Sequence, residues 1–329
     1  VKEALYYAQR PDGKVECELC PHRCVIEEGR TGICRVRRNE GGRLQSLIYG
    51  EVASIAMDPI EKKPLYHFFP GRNILSAGTN GCNFRCSFCQ NWQISQQEVA
   101  RRKIEPAALV ATARREGSIG VAFTYNEPLI WHEFVLDVAT LTREAGMVNV
   151  LVTNGYVNPE PLDGLLPLVD ALNIDVKSMR PEFYRKHCGG SLEPVLETCR
   201  TAGAKTHVEL TNLVIPGEND SPEDFEKLRD WIADNMGGNT PLHLSAYTPR
   251  HKFTAPPTPV ETLLKAHGIC REKLDYVYLG NVMTAEGRDT LCRNCGALLV
   301  ERRGYHTRIT GLTEGRCAKC GSENNFRQG

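Results

Sequence analysis

The stretch "GCNFRCSFCQNW", residues 81–92, sets Cys82, Cys86 and Cys89 in a C-x3-C-x2-C run. Three thiolates cannot all pair as disulfides, and they are one short of the four that close a cubane iron–sulfur cluster. A cubane held by three thiolates leaves one iron open to a small molecule. The loop therefore needs a rigid frame around it and space beside it. The other cysteines lie far away in sequence. Cys17, Cys20, Cys24 and Cys34 form C-x2-C-x3-C-x9-C near the start, and Cys292, Cys295, Cys317 and Cys320 form C-x2-C-x21-C-x2-C near the end. Cys188, Cys199 and Cys270 stand alone.

"CRNCG" and "CAKCG" are two C-x2-C-G knuckles, each able to turn two sulfurs toward one ion. Four thiolates in tetrahedral geometry make a structural zinc site with no open position. The segment between them alternates apolar and polar residues, as a small zinc ribbon does. An auxiliary iron–sulfur cluster is the alternative. In "CELCPHRCVIEEGRTGIC", all four thiolates or three with the His22 imidazole can bind metal. Zinc is the expected occupant there, with a second iron–sulfur cluster as the alternative.

Between these modules the pattern alternates strand and helix. "NILSAGT" leads into the three-cysteine loop, and "GVAFTYNEP", "VNVLVTNG", "ALNIDVKS", "KTHVELTNLVIPG", "PLHLSAYTP" and "DYVYLGNV" read as further strands. Segments such as "EPAALVATARREG", "LIWHEFVLDVATLTREAG" and "SPEDFEKLRDWIADN" have helical apolar spacing, the last behind a Ser221 N-cap. Such repetition predicts an α/β fold with a parallel sheet and right-handed crossovers. Polar residues crowd the strand C-termini: Asn126, Glu127, Asn154, Asp175, Lys177, Asn212 and Tyr247. In a (β/α) barrel that face carries the chemistry.

Lys plus Arg and Asp plus Glu both total 40, so the formal net charge is zero and no dedicated nucleic-acid binding is expected. No apolar run approaches the ~18–20 residues of a membrane span. Fourteen cysteines without a signal-like apolar block near Val1 point to a reducing, cytoplasmic setting where thiolates serve metals.

The triad with Phe88 just before its last cysteine, at the end of the first strand of a βα series, resembles the signature of the radical SAM superfamily. "CELCPHRC", "DPIEKKPLYHF" and "TYNEP" make nearly the whole chain similar to the AmmeMemoRadiSam system radical SAM enzyme, and the core resembles activating enzymes of glycyl-radical enzymes. The resemblance implies a partial (β/α)6 TIM-like barrel over residues 73–288, a cysteine-rich module and lead-in over 1–72, and a zinc-ribbon-like module over 289–329. It also implies a [4Fe–4S] cluster on Cys82, Cys86 and Cys89 that binds S-adenosyl-L-methionine. Reductive cleavage then gives a 5′-deoxyadenosyl radical that takes hydrogen from a substrate.

By the same resemblance, "TYNEP" binds the methionyl amine, with Tyr125 and Asn126 replacing the usual glycine pair and Glu127 retained. "VTNGY" lies beside the ribose; Val152 replaces the acidic residue of activases, and Asn154 can contribute. Asp175 and Lys177 match a D-x-K pair that holds the cofactor carboxylate. Phe88 and Asn212 are further cofactor contacts, Tyr247 a substrate-side hydrogen bonder, and Cys188 a thiol able to quench or relay a radical. The implied partners are a low-potential donor (flavodoxin or ferredoxin) with Memo-like and AMMECR-like proteins or a glycyl-radical enzyme. A zinc scaffold that has kept an idle barrel is the non-enzymatic alternative.

Overall fold

The computed structural model describes residues 1–328. Its centre is an eight-stranded sheet. We label the strands β1 (Ser54–Pro59), β2 (Asn73–Gly78), β3 (Gly120–Phe123), β4 (Val148–Thr153), β5 (Ala171–Asp175), β6 (His207–Val214), β7 (Leu242–Ala246) and β8 (Val277–Gly280). Neighbours from β2 to β8 pair in sequence order and in parallel. The edge strand β1 runs antiparallel to β2. The sheet is open, since β1 and β8 are its two ends.

Strands such as β3 and β7 are buried along their whole length, as expected when helices cover one face and packed side chains the other. At Gly120 a Cβ would fall 1.8 Å from Val148 O, so only glycine lets β3 and β4 pair this closely. The helices α1 (Pro106–Arg115), α2 (His132–Glu144), α3 (Glu193–Gly203), α4 (Pro222–Asn235) and α5 (Val260–Arg271) bury one face each. Ser221 and Asp224 form the capping box that starts α4.

The motif "DPIEKKPLYHF" threads the barrel from its lower end. Asp58 accepts from Lys63 Nζ (2.6 Å) and from Tyr125 OH (2.5 Å). The amides of Tyr66 and His67 donate to the fully buried Glu209 at 2.9 and 2.7 Å. Glu209 also accepts from His207 Nε2 (3.0 Å) and His243 Nε2 (2.7 Å). Burial opposes its charge, but these histidine bonds outweigh burial and hold its carboxyl well below the usual range. His67 donates from Nδ1 to Asn324 O (3.0 Å), and its Nε2 therefore accepts from Tyr278 OH (2.6 Å). This polar knot fastens the C-terminal cysteine module beneath the barrel and leaves the strand C-termini open above.

The N-terminal segment forms two small three-stranded sheets, and the C-terminal one adds the hairpin Leu298–Arg303/His306–Ile309. No helix among the described residues is long and apolar enough to cross a membrane.

Candidate active site

The loop after β2 carries Cys82, Cys86 and Cys89, and backbone contacts from several elements fix it. Asn126 donates from Nδ2 to Gly81 O (2.9 Å) and accepts from Thr79 N (3.1 Å). Asn83 Nδ2 donates to Tyr156 O (2.7 Å), and His22 Nε2 donates to Asn83 O (2.8 Å). On the other side, Arg85 N donates to Cys188 O (2.8 Å) and Ser87 N to His187 O (3.0 Å). Gly81 sits at φ +94°, where a Cβ would lie 2.8 Å from Cys34 O.

Hydrogen-bond donors ring the sulfurs. Phe84 N donates to Cys82 Sγ at 3.3 Å, and Asn154 Nδ2 lies 3.7 Å from the same sulfur. The Ser95 hydroxyl is 3.2 Å from Cys89 Sγ. Burial pushes Cys82 and Cys89 up, Cys82 the more strongly. Cys86 is shifted down, first by the Cys188 thiol and then, against burial, by the Lys177 ammonium. Desolvation opposes the charge of Lys177, yet Asp175, 2.7 Å away, raises its pKa overall. A loop of half-buried and buried thiols, N–H donors on the sulfurs and a cation alongside fits a negatively charged iron–sulfur cluster.

Glu127 is fully buried. Its Oε1 accepts from Leu129 N (3.0 Å) and Thr153 OH (2.7 Å), and its Oε2 from Asn154 N (2.8 Å). Burial pushes its carboxyl up to about 7 against these bonds. The side chain thus joins the β3 and β4 loops, and through Asn154 it reaches Cys82. Tyr125, at φ +73°, points down the barrel to Asp58. Asn212 Nδ2 donates to Val176 O (2.8 Å), while its buried Oδ1 has no partner. Phe88 is buried beside the rings of Phe183, His187 and Phe253. Tyr247 OH donates to Phe253 O (2.8 Å) and so ties the 248–258 loop to the end of β7.

Several neighbours had no sequence signal. His187 bonds Glu218 at 2.9 Å on the turn that ends in Cys188. A cleft of about 430 Å³ opens beside the loop, lined by Gln90, Trp92, Gln93, Thr248, Arg250 and Asn281. These residues become neighbours only through the fold.

All fourteen cysteines are free thiols. Cys292, Cys295, Cys317 and Cys320 offer sulfurs within 4.8 Å of one another, with Cys292–Cys320 and Cys295–Cys317 each at 3.7 Å. The Ser322 hydroxyl and amide are the leading influences that bring Cys320 down to about 5. These four can hold one metal ion. The Nε2 of His22 is taken by Asn83 O at 2.8 Å.

A strand-ordered parallel sheet carries the three-cysteine loop at its C-terminal edge. The family model described as the radical SAM superfamily matches residues 77–232. An uncharacterized protein of Methanocaldococcus jannaschii is 45% identical over 331 residues, covering 98% of each chain. The pyruvate formate-lyase-activating enzyme of Listeria monocytogenes is 27% identical over 164 residues, 46% of this chain and 66% of that enzyme. Pyruvate formate-lyase 1-activating enzyme of Escherichia coli is 26% identical over 185 residues, 53% and 75% of the two chains. A radical SAM methyltransferase from Sphaerobacter thermophilus has the same fold at 18% identity, with a TM-score of 0.51 over 70% of this chain and 71% of that one. The chain belongs to the radical SAM superfamily.

Proposed function

We propose that the protein is a radical SAM enzyme in which Cys82, Cys86 and Cys89 hold a [4Fe–4S] cluster. The observation that carries this is the triad loop itself, its sulfurs met by Phe84 N, Ser95 and Asn154 and flanked by Lys177. When bound, the cluster and S-adenosylmethionine supply reductive cleavage to a 5′-deoxyadenosyl radical. Lys177 and Asp175 take the carboxylate and ammonium of the amino-acid end. The free Oδ1 of Asn212 offers an acceptor at the same strand edge. Glu127, Asn126 and Tyr125 act by positioning: they fix the two loops between which the ligand sits. Phe88 excludes water from the side nearest His187.

In this reading the C-terminal thiols hold structural zinc. A zinc ion bound at about 2.3 Å sets tetrahedral sulfurs about 3.8 Å apart, close to the 3.7 Å pairs found. The substrate is a small molecule or a protein modified alongside Memo-like and AMMECR-like partners, with flavodoxin or ferredoxin as donor. The activating-enzyme relatives favour a second reading, hydrogen abstraction from a glycine of a partner enzyme; their likeness spans about half of this chain. A glycyl-radical signal formed in a co-encoded glycyl-radical enzyme would select the second.

The test of the cofactor site is the electron-paramagnetic spectrum of the reduced, anaerobically reconstituted protein. Addition of S-adenosylmethionine shifts the cluster signal in wild type. The shift requires about tenfold or more additional cofactor in Lys177→Met. An unshifted wild-type spectrum contradicts the assignment.

A further inference from the structure

The cleft beside the three-cysteine loop begins where the triad ends. Gln90 follows Cys89, and the short helix Trp92–Gln96 sets the Ser95 hydroxyl 3.2 Å from Cys89 Sγ. The opposite wall comes from the ends of two strands. Ala246 ends β7, Thr248 and Arg250 follow it, and Asn281 follows β8.

Backbone bonds fix that wall against the cluster loop. Phe253 N donates to Arg250 O (3.2 Å), closing a turn in which His251 sits at φ +58°. Lys252 N donates to Ser87 O (3.1 Å), between Cys86 and Cys89 in sequence. The His251 ring stacks on the Trp92 indole with centroids 5.0 Å apart. Asn281 Nδ2 donates to Ala246 O (3.3 Å) and ties the two strand ends together.

The lining has a definite chemistry. Among the described residues, Arg250 is the only charged side chain on it; Gln90, Gln93 and Asn281 bring amides, Thr248 a hydroxyl and Trp92 an apolar wall. A volume of about 430 Å³ falls within the ~300–1,000 Å³ of small-molecule sites. A guanidinium presents a planar fork of N–H donors that matches a carboxylate or a phosphate. Amide and hydroxyl donors can serve the remaining anion oxygens. A glycine loop of a partner enzyme offers peptide groups to the amides but no charge to Arg250.

We infer that this cleft receives the substrate, and that the substrate is a small anion whose carboxylate or phosphate docks on Arg250 with its apolar part against Trp92. The inference rests on the reading of Cys82, Cys86 and Cys89 as cluster ligands, which sets the cofactor beside the cleft. Two cations then serve two anions: Lys177 takes the cofactor carboxylate and Arg250 the substrate. The small-molecule reading is thereby preferred to the glycyl-radical one.

The test uses the anaerobically reconstituted holoenzyme with S-adenosylmethionine present. Isothermal titration calorimetry reads the binding of inorganic phosphate, succinate and the neutral succinamide. Wild type should bind phosphate or succinate at one saturable site and discriminate against succinamide. Preference for phosphate marks a phosphorylated substrate, preference for succinate a carboxylic acid. Arg250→Gln should weaken the preferred anion about tenfold or more, the loss of one charge-assisted hydrogen bond, and Arg250→Lys should recover part of the affinity. Arg250 is exposed, so neither change opens the core. Absence of saturable anion binding in wild type, equal affinity in Arg250→Gln, or succinamide bound as well as succinate overturns the inference. So does a cofactor requirement in Arg250→Gln raised as far as in Lys177→Met, which would put the guanidinium on S-adenosylmethionine. A glycyl radical formed in a co-encoded partner enzyme overturns it as well. Anion binding at Arg250 in a wild type whose cluster spectrum ignores S-adenosylmethionine would refute the cofactor reading instead, and with it the cleft's role toward a radical.

Discussion

Glu127 offers the sharpest test of how the site is held. Glu127→Gln keeps its shape but leaves one acceptor oxygen for three donors, Leu129 N, Thr153 OH and Asn154 N. Placed at the Oε1 position, the amide oxygen serves two of them, and the amide nitrogen then faces Asn154 N–H donor to donor. One buried hydrogen bond lost costs about 1–3 kcal/mol. A second contribution depends on pH. Burial raises the Glu127 carboxyl from 4.5 to about 7 in the folded protein. A raised acid keeps its proton in the native state while the unfolded chain releases its own. Its contribution to stability is therefore fully present below the unfolded value and lost as pH rises toward 7. The difference, at about 1.4 kcal/mol per unit, amounts to about 3 kcal/mol. Urea unfolding under anaerobic conditions at pH 5 and pH 8 reads both. The deficit of Glu127→Gln should be largest at pH 5 and shrink by roughly that amount at pH 8. A deficit that stays constant or grows with pH refutes the buried, elevated carboxyl.

Other outcomes follow from the same geometry. Glu209→Ala strands the Tyr66 and His67 amides in the barrel floor, and should cost about 3–5 kcal/mol by thermal or urea unfolding. Cys317→Ser should release the C-terminal metal and lower the melting temperature, with the iron content unchanged. Asn154→Ala removes the side-chain N–H nearest Cys82 and should shift the cluster's midpoint potential in redox titration while leaving its iron in place.

The barrel was legible because strands such as "GVAF" are buried on both faces and appear as unbroken apolar runs. The edge strand "SIAMDP" was not, because it is mostly half-buried, lacks a period of two and ends in Pro59. The cysteine sets were readable because metal chemistry imposes spacing on sequence. The Glu209 knot was invisible, since its donors come from residues 66, 67, 207 and 243. Cys188 drew attention as a lone thiol, but only the fold brings it beside Cys86. Tyr247 stood out because it follows a strand end; only the fold shows that its hydroxyl donates to Phe253 O. Nothing in a linear pattern tells a polar residue that holds a loop from one that meets a ligand.

The central claim is that Cys82, Cys86 and Cys89 make this barrel a reductive cleaver of S-adenosylmethionine. The direct measurement is 5′-deoxyadenosine formed by the anaerobically reconstituted, reduced protein, beside Cys82→Ala treated identically. The account predicts product from wild type and background from the variant. Equal product from both, or none from an iron-loaded wild type, would contradict it.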